Sequence, residues 1–310
     1  MKYKIIGSEE KYSERISAAL EEEKKNMRGF YPHLSELFDK QFKNPDAKEG
    51  SLAVDLKDKV IARLKANPVK DKTWGNSLTS NLGDFFFNSS VISQNPVKDL
   101  YAAEFGAKTY EYCEHKIILP AYDKDKVWTW FELGFGLEQV YGFGDTKHLS
   151  QKSTAEIKIE KLSPANAGAF EKFYSIIAGM QAKAPVWAGA PANYLRALKK
   201  GFSEIVYDKE AIVYLAFDGP RAVAYQLWSP YSESIIELSV AGVVEEYRGK
   251  GIGKALTVFC ANKVFDLGYK IVIADWRSTN PSSSTFWTAM GFQPYLYRLV
   301  RKFGAKTKLR

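Results

Sequence analysis

Hydrophobic and polar residues follow two patterns along this chain, a period of two that is typical of β-strands and a period near 3.6 that is typical of α-helices. In the second half these patterns predict a strand, two helices, three strands, a helix, a strand, a helix and a last strand. The strands are predicted at 155–162, 211–217, 222–229, 234–244, 270–275 and 295–303, and the helices at 163–183, 192–208, 253–267 and from 281 onward. This order predicts a mixed α/β sheet.

The first half repeats this order more loosely. Its strands are predicted at 2–6, 51–56, 60–66, 84–92 and 116–121, and its helices at 9–25 and 97–114. The clearest sign of a repeat is a pair of hexapeptides, WFELGF at 130–135 and WTAMGF at 287–292. Both place an aromatic residue four positions before a glycine and a phenylalanine directly after it. Such self-similarity favours a duplicated domain.

The segment 144–154 (GDTKHLSQKST) is polar and shows neither period, which is typical of a linker. A chain of 310 residues is also long for one compact core, and two domains of about 150 residues each are expected. We therefore predict one domain at 1–150 and a second at 151–310.

Basic charge is concentrated in the second predicted domain. Residues 1–150 contain 22 basic and 23 acidic side chains, whereas residues 151–310 contain 22 basic and 13 acidic ones. Part of this excess comes from the C-terminal segment 301–310, which holds five basic residues. The remainder suits a polyanion, either a nucleic acid or a nucleotide cofactor, and charge alone does not choose between them.

Cysteine and histidine usage indicates a reducing compartment and argues against a metal site. The two cysteines, Cys113 and Cys260, lie far apart beside apolar neighbours, as expected of free thiols. The three histidines, His33, His115 and His148, show no metal-ligand spacing. No apolar run approaches the roughly 18 residues that cross a bilayer, and the N-terminus lacks the pattern of a secretory signal. These features predict a cytoplasmic protein with no metal and no membrane partner.

A glycine-rich segment, RGKGIG at 248–253, lies between a predicted strand and a predicted helix. Gly249, Gly251 and Gly253 lack the Cβ atoms that would keep a ligand away from the main chain. Consecutive N–H groups at the positive end of a helix form an anion site that suits a pyrophosphate. The sequence therefore predicts a phosphate-binding loop here.

Two common glycine-loop motifs do not fit this segment. The Walker pattern fails because Ala255 stands where a serine or threonine is required, and the dinucleotide pattern fails because Leu256 replaces its last glycine. The segment does resemble the Arg/Gln-x-x-Gly-x-Gly/Ala coenzyme A signature of the GNAT acyltransferase superfamily, which is met by Arg248, Gly251 and Gly253.

A second segment strengthens this resemblance. Residues 280–292 (NPSSSTFWTAMGF) resemble the family's Asn-x-x-Ala-x-x-Phe-Tyr-x-x-x-Gly-Phe segment, with Ser283 for the alanine and Trp287 for the tyrosine. The resemblance covers 155–303 well and the first half only in outline. It implies two tandem acyl-CoA N-acyltransferase (GNAT) domains of mixed α/β (α+β) type, the first of them degenerate.

The resemblance implies that a short acyl-CoA, such as acetyl-CoA, is the acyl donor. In this family the pantetheine arm lies along the strand before the loop, and the pyrophosphate lies over the loop itself. The second segment starts with an Asn-Pro pair whose asparagine either contacts the arm or caps the following helix. The implied cofactor-binding residues are Val243, Val244, Arg248, Gly249, Lys250, Gly251, Ile252, Gly253, Lys254 and Asn280.

Glu237 is the predicted general base. It interrupts an apolar strand eleven residues before Arg248, a separation at which some GNAT enzymes place a catalytic glutamate. Strand alternation predicts that its side chain shares a face with Ser239, Ala241 and Val243, and partial burial would raise the pKa of its carboxyl group. The alternative interpretation is a glutamate at a strand edge, solvated or paired with a lysine.

The group that protonates the departing thiolate is left open. Trp287 stands where many members of the family have a tyrosine, and an indole is not a useful proton donor for this step. Tyr295, Tyr297 or solvent could serve instead.

The first half lacks a counterpart of the glycine loop. At the matching place it reads SQNPVKDL (93–100), which contains no glycine, and Pro96 removes one of the N–H groups that a pyrophosphate needs. We therefore expect that the domain at 1–150 does not bind CoA.

The leading hypothesis is an N-acetyltransferase that transfers the acetyl group directly to a primary amine of a small molecule. The alternatives are a non-catalytic acyl-CoA sensor and a protein-modifying acetyltransferase. A nucleic-acid partner is not expected, because the glycine loop explains the basic charge more economically. The chain is expected to act as a monomer or a homodimer.

Overall fold

The computed structural model describes residues 3–42, 49–87, 96–106, 111–112, 114–150 and 156–303. The chain forms two compact units: unit 1 is Met1–Gln139 with Tyr295–Arg310, and unit 2 is Val140–Pro294. The predicted linker does not separate them. Its first part forms the end of a strand and a short helix within unit 2, and 151–154 lie outside the described residues.

Most strands of unit 1 occur in the order predicted for the first half of the chain. The strands are β1 (Tyr3–Gly7), β2 (Ser51–Asp55), β3 (Val60–Leu64), β4 (Asn67–Val69), β5 (Ser77–Ser80), β6 (Phe85–Phe87) and β7 (Glu114–Pro120). The helices are α1 (Ser13–Phe30), α2 (Ser35–Gln41), α3 (Pro96–Gly106) and α4 (Lys124–Phe131). Strand β8 (Gly136–Asp145) then passes from unit 1 into unit 2.

Unit 2 follows most of the element order predicted for the second half, with three helices where two were predicted between the first two strands. Its helices are α5 (Thr146–Ser150), α6 (Ala167–Glu171), α7 (Ile176–Gln181), α8 (Ala192–Glu204), α9 (Ile252–Asp266) and α10 (Pro281–Met290). Its strands are β9 (Lys158–Lys161), β10 (Ile212–Asp218), β11 (Arg221–Pro230), β12 (Ile235–Val243) and β13 (Ile271–Arg277). Strand β14 (Gln293–Lys302) leaves unit 2 and returns the chain to unit 1. None of the helices in the described ranges is long and apolar enough to cross a membrane.

Two sheets lie in unit 1. One has the strand order β1-β2-β3-β6 and is antiparallel, and the other joins β4, β5, β7 and β14. In the second sheet β5 and β7 are parallel, whereas β7 and β14 are antiparallel. The sequence patterns missed α2 and the β4–β5 hairpin because these elements are too short to show a period. Of the strand predicted at 84–92, residues 88–92 lie outside the described residues.

The sheet of unit 2 has the strand order β8-β13-β12-β11-β10-β9. The pairs from β9 to β12 are antiparallel and the pair β12–β13 is parallel, so the sheet is mixed, as predicted. One face packs on α6 and α8 through a buried cluster that includes Phe170, Phe202 and Tyr225. The helix predicted at 163–183 is two short helices, because the chain turns between them where the N–H of Phe173 bonds to the carbonyl of Phe170.

The two repeated hexapeptides adopt the same local structure in their own units. Each glycine ends a helix with a positive φ, 78° at Gly134 and 95° at Gly291. The following phenylalanine N–H bonds to the carbonyl five residues earlier, at 3.2 Å in the first unit and 3.0 Å in the second. The tryptophan and phenylalanine rings of each hexapeptide are 5.0 Å apart. This is a Schellman helix end, which requires glycine at its left-handed position.

Candidate functional site

Strands β12 and β13 pair at one end and then separate. Three pairs are formed, the last between Glu237 and Ile273, although β12 continues to Val243 and β13 to Arg277. Beyond the last pair, no strand in the described part of the chain bonds to the β13 side of β12. This split leaves an open main-chain edge in the middle of the sheet of unit 2.

A β-bulge lies in β12 two residues after Glu237. Trp228 opposes Leu238 and Leu227 opposes Val240, so Ser239 is an extra residue in β12. The predicted alternation is therefore wrong past this point. The bulge puts the side chains of 241 and 243 on the face opposite Glu237, because one inserted residue reverses a period of two. The Ser239 hydroxyl donates to the Ser229 hydroxyl at 3.2 Å.

The main chain at the end of β12 faces the open edge at alternate residues. The N–H of Val244 donates to the Val223 carbonyl of β11 at 2.9 Å, so the preceding residue, Val243, directs its main-chain groups away from β11. Arg248 confirms this direction, because its Nε donates to the Val243 carbonyl at 3.0 Å. The carbonyl of Val244 accepts from the N–H of Tyr247. Of the two predicted arm contacts, Val243 thus lies at the open edge, whereas both main-chain groups of Val244 bond within the chain.

The glycine segment forms a loop that ends in the first turn of α9. Gly249 and Gly251 have φ values of 73° and 79°, and Gly251 is the N-cap of the helix. The first helical bond is donated by the N–H of Ala255 to the carbonyl of Gly251 at 2.9 Å. The six N–H groups of 249–254 bond to no acceptor within the described residues. Such a row at a helix N-terminus is an anion-binding arrangement.

The charged residues around the loop favour an anion. Glu245 pairs with Lys183 at 2.8 Å, and the pKa of Glu245 is lowered mainly by that hydrogen bond. Arg221 pairs with Glu246. Lys250 is exposed and its Nζ lies 4.9 Å from the centre of the Tyr247 ring. The acidic residues before the loop are therefore matched by cations, and the basic residues of the loop lie close to its N–H groups.

Arg248 bonds the loop to the end of β12 and to α7. Besides the bond to the Val243 carbonyl, its Nη1 donates to the Met180 Sδ at 2.6 Å. A thioether is a weak acceptor, and a guanidinium forms much stronger bonds with phosphate oxygens. The remaining donors of Arg248 suit an anion held over the loop.

The predicted base is half-buried at the start of the split. Burial raises the pKa of the Glu237 carboxyl, and the nearby charge of Asp275 raises it further. Ile273, the pairing partner of Glu237, lies two residues before Asp275, so both carboxyl groups are on the same face of the sheet. A carboxylate with a raised pKa is a competent proton acceptor near neutral pH.

The first residue of the segment 280–292 has a structural role. The Asn280 side chain caps α10 by accepting from the N–H of Ser283 at 3.3 Å, so the capping alternative is the one observed. Trp287 is 7% exposed and packs edge-on against Phe286 and Phe292, at 4.7 and 5.0 Å between ring centres. It therefore belongs to the core.

The two tyrosines named as alternative acids belong to unit 1. Tyr295 is buried and its ring lies 6.4 Å from that of Phe38, and burial raises the pKa of Tyr297. No group for protonating a thiolate is therefore assigned in unit 2. The described residues include no cluster of three or more metal-ligating side chains.

The chain is similar to proteins of one family. The model of the acetyltransferase (GNAT) family matches residues 182–292. An uncharacterized N-acetyltransferase from Halalkalibacterium halodurans is 34% identical over 107 residues, which are 31% of this chain and 59% of that protein. The match thus spans less than two thirds of that relative.

Solved structures resemble the fold over both units. A GCN5-related N-acetyltransferase from Sphaerobacter thermophilus is 14% identical, with a TM-score of 0.56 and 98% of each chain covered. A GNAT-family acetyltransferase from Colwellia psychrerythraea is 13% identical, with a TM-score of 0.50, covering 98% of this chain and 100% of that one. The mixed α/β fold predicted from the element order is confirmed.

Proposed function

Residues 182–292 match the model of the GNAT acetyltransferase family, and from that premise we propose that this chain is an acyl-CoA-dependent N-acyltransferase of that family. The proposed donor is acetyl-CoA or another short acyl-CoA, and the proposed acceptor is a primary amine of a small molecule. The observation that carries the proposal is the row of six N–H groups at 249–254, directly beside the open edge of β12.

The residues of the loop and the strand edge fit a CoA-type ligand. Nothing lies within 4 Å of the position that a Cβ of Gly249 would take, so the main chain is accessible there. The N–H row and the donors of Arg248 and Lys250 would hold the pyrophosphate. The main-chain groups of Val243 would hold the amide-containing arm, as a neighbouring strand would.

In this proposal the chain contributes binding, orientation and proton transfer. When bound, the acyl-CoA supplies a thioester activated for attack by an amine. Glu237 accepts the proton that an ammonium must lose before the nitrogen can act as a nucleophile. Glu237 belongs to the last β12–β13 pair, next to the start of the open edge, and in this proposal the acceptor and the donor arm meet at the split.

Unit 1 is proposed to be a GNAT-like domain without cofactor binding. The helix α3 that would follow a phosphate loop begins at Pro96, which has no N–H to donate, and residues 93–95 lie outside the described part of the chain. Calorimetry of the full chain should therefore give one CoA site per chain. A stoichiometry of two would contradict this part of the proposal.

The first test is CoA binding by a loop variant with a matched control. Gly251→Glu places a carboxylate in the anion site, and we expect CoA binding measured by calorimetry to be lost. Gly268→Glu is the control, because Gly268 also has a positive φ, of 98°, with open space around it, but lies beyond the other end of α9. Equal affinity of the two variants would show that the loop is not the phosphate site.

The second test concerns the base. Because burial raises the pKa of Glu237, kcat/KM of the wild-type enzyme should increase with pH as this carboxyl group loses its proton. The midpoint of the increase should lie above the pKa of an ordinary glutamate. Glu237→Gln should lower the rate about 100-fold or more and remove this ionisation from the profile. An unchanged profile would remove Glu237 from the mechanism. The substrate for the assay comes from screening acetyl-CoA consumption over a panel of amines.

A non-catalytic acyl-CoA sensor is the second candidate. It is favoured by Trp287, which is core in place of the tyrosine common in the family. Calorimetric CoA binding together with no acetyl-CoA consumption on small amines or on protein substrates would support the sensor.

A further inference from the structure

A chain of buried hydrogen bonds connects the sheet of unit 2 to the first turn of α9. Trp228 Nε1 donates to Gln226 Oε1 at 3.2 Å, and Gln226 Nε2 donates to Thr257 Oγ1 at 2.7 Å. The Thr257 hydroxyl then donates to the carbonyl of Gly253 at 2.8 Å. These four residues will be called the β11–α9 relay. It ends at a glycine of the loop.

The relay lies in the dry core between β11 and α9. Gln226 is 2% exposed, and Thr257 and Trp228 are fully buried. An apolar side chain would fill the position of Gln226 without requiring a partner, whereas a buried amide is costly unless its donors and acceptors are matched. Within β11 the neighbours of Gln226 are Tyr225 and Leu227. An amide at this place therefore implies a specific bonding role.

Thr257 has a bonding pattern that differs from the usual one in a helix. A threonine hydroxyl often donates to the carbonyl four residues earlier without any tertiary partner. Here the same oxygen also accepts from Gln226, so strand β11 determines the direction of the hydroxyl proton. These two bonds thereby restrict both the rotation of α9 about its own axis and its distance from β11.

A second contact holds the same turn from another side. A Cβ at Gly253 would lie 3.4 Å from the Val243 side chain and 3.5 Å from the Phe286 ring, which is ordinary van der Waals contact, so β12 and α10 both lie against this turn. The first turn of α9 is therefore fixed by packing at Gly253 and by hydrogen bonding at Thr257.

We propose that Gln226 and Thr257 are positioning residues that pre-orient the N–H groups of the phosphate loop for the donor. This inference rests on the proposed function, since it assigns to the relay the orientation of the same anion site. An anion site whose donors are already aligned loses less entropy on binding and therefore binds more tightly. Neither side chain contacts the ligand in this proposal.

The main variant is Thr257→Val, which keeps the shape of the side chain and removes its hydroxyl. We expect the Kd for CoA, measured by calorimetry on the full chain, to rise about tenfold, because the amide of Gln226 loses its acceptor and the turn loses a tether. Thr257→Ser keeps the hydroxyl and should bind CoA within about twofold of the wild type.

A control separates positioning from general stability. Val264→Ala removes buried volume from the same helix, two turns further on and away from the relay, and should lower the unfolding midpoint in urea while leaving the Kd within about twofold. If Val264→Ala weakens CoA binding as much as Thr257→Val does, the relay has only a structural role and the proposal is wrong.

A readout without ligand keeps the inference testable on its own. Hydrogen exchange of the amides of Ala255, Leu256 and Thr257 in the free protein should be about tenfold faster in Thr257→Val than in Thr257→Ser or Val264→Ala. Equal exchange in all three variants would refute pre-orientation. If the wild-type chain binds no CoA, the proposed function fails, whereas the exchange measurement still decides whether the relay orients the loop.

Discussion

His115 of β7 makes the stability of unit 1 depend on pH. The side chain is fully buried and lies between the rings of Phe105 and Phe303, at 4.8 and 4.5 Å. Its Nδ1 bonds to the Tyr101 hydroxyl at 2.8 Å, and its Nε2 has no partner among the described residues. Burial, together with the smaller effect of the Arg301 charge, lowers the pKa of His115 to about 4.

The size of the effect follows from proton linkage. The folded state binds the proton of His115 less readily than the unfolded state, in which the pKa is about 6.5. The contribution of neutral His115 to the free energy of unfolding is therefore fully present above pH 6.5. It is lost as the pH falls from 6.5 towards 4, and the total loss is up to about 3 kcal/mol. Between pH 7.5 and pH 5 the expected loss is about 2 kcal/mol.

The assay must report on unit 1 alone, because the two units need not unfold together. Urea unfolding at each pH, followed by pulsed hydrogen exchange at one fixed labelling pH, gives the free energy of unfolding for peptides from β7. His115→Phe keeps an aromatic ring but cannot titrate. Its loss of unfolding free energy between pH 7.5 and pH 5 should therefore be smaller than that of the wild type by about 2 kcal/mol.

The comparison uses the change with pH and not the absolute stability, because His115→Phe also leaves the Tyr101 hydroxyl without its acceptor. His33→Phe is the control: His33 is exposed to solvent, and its replacement should leave the pH dependence as it is in the wild type. Equal losses of unfolding free energy in His115→Phe and in the wild type over this range would show that His115 does not cause the pH dependence.

Further predictions concern packing and thiol chemistry. Gly142→Ala should destabilise unit 2 by about 1–3 kcal/mol in urea unfolding, because its Cβ would lie 2.4 Å from the ring of Trp276. Gly7→Ala meets nothing within 4 Å and should change stability by less than about 1 kcal/mol, so an equal effect of both changes would contradict the packing argument. Burial raises the pKa of the Cys260 thiol, and a thiol reagent should label Cys260 only after urea unfolds unit 2; rapid labelling of Cys260 itself in the native chain, located by peptide mapping, would contradict its burial.

Local features of the site were readable in the sequence. Glycine has a conformational freedom that other residues lack, so its spacing at 249, 251 and 253 indicates a loop from the residue types alone. The same holds for the two hexapeptides, whose helix ends require a glycine at one position. Most of the element order of unit 2 was also predictable, because its longer elements, such as β11, β12 and α9, show their period, whereas the short helices α6 and α7 were predicted as one helix.

Only the tertiary structure decided which of these residues act together. The bulge at Ser239 cannot be seen in a pattern of period two, because it is defined by the strand opposite, and it moves Ala241 and Val243 to the other face. The return of β14 to unit 1 depends on pairing with β7 across more than 170 residues, which no local pattern encodes.

The properties of the glycine loop depend partly on the local sequence and partly on the tertiary structure. Its motif indicated an anion site and a family, because the chemistry of a phosphate cradle lies in consecutive main-chain groups. The alignment of those groups depends on Gln226 and Thr257, which are 31 residues apart in the chain and meet only when β11 and α9 pack together. The sequence thus determined what the loop can bind, whereas the tertiary structure decided how its donors are held, because a hydrogen bond between distant residues exists only after the core has formed.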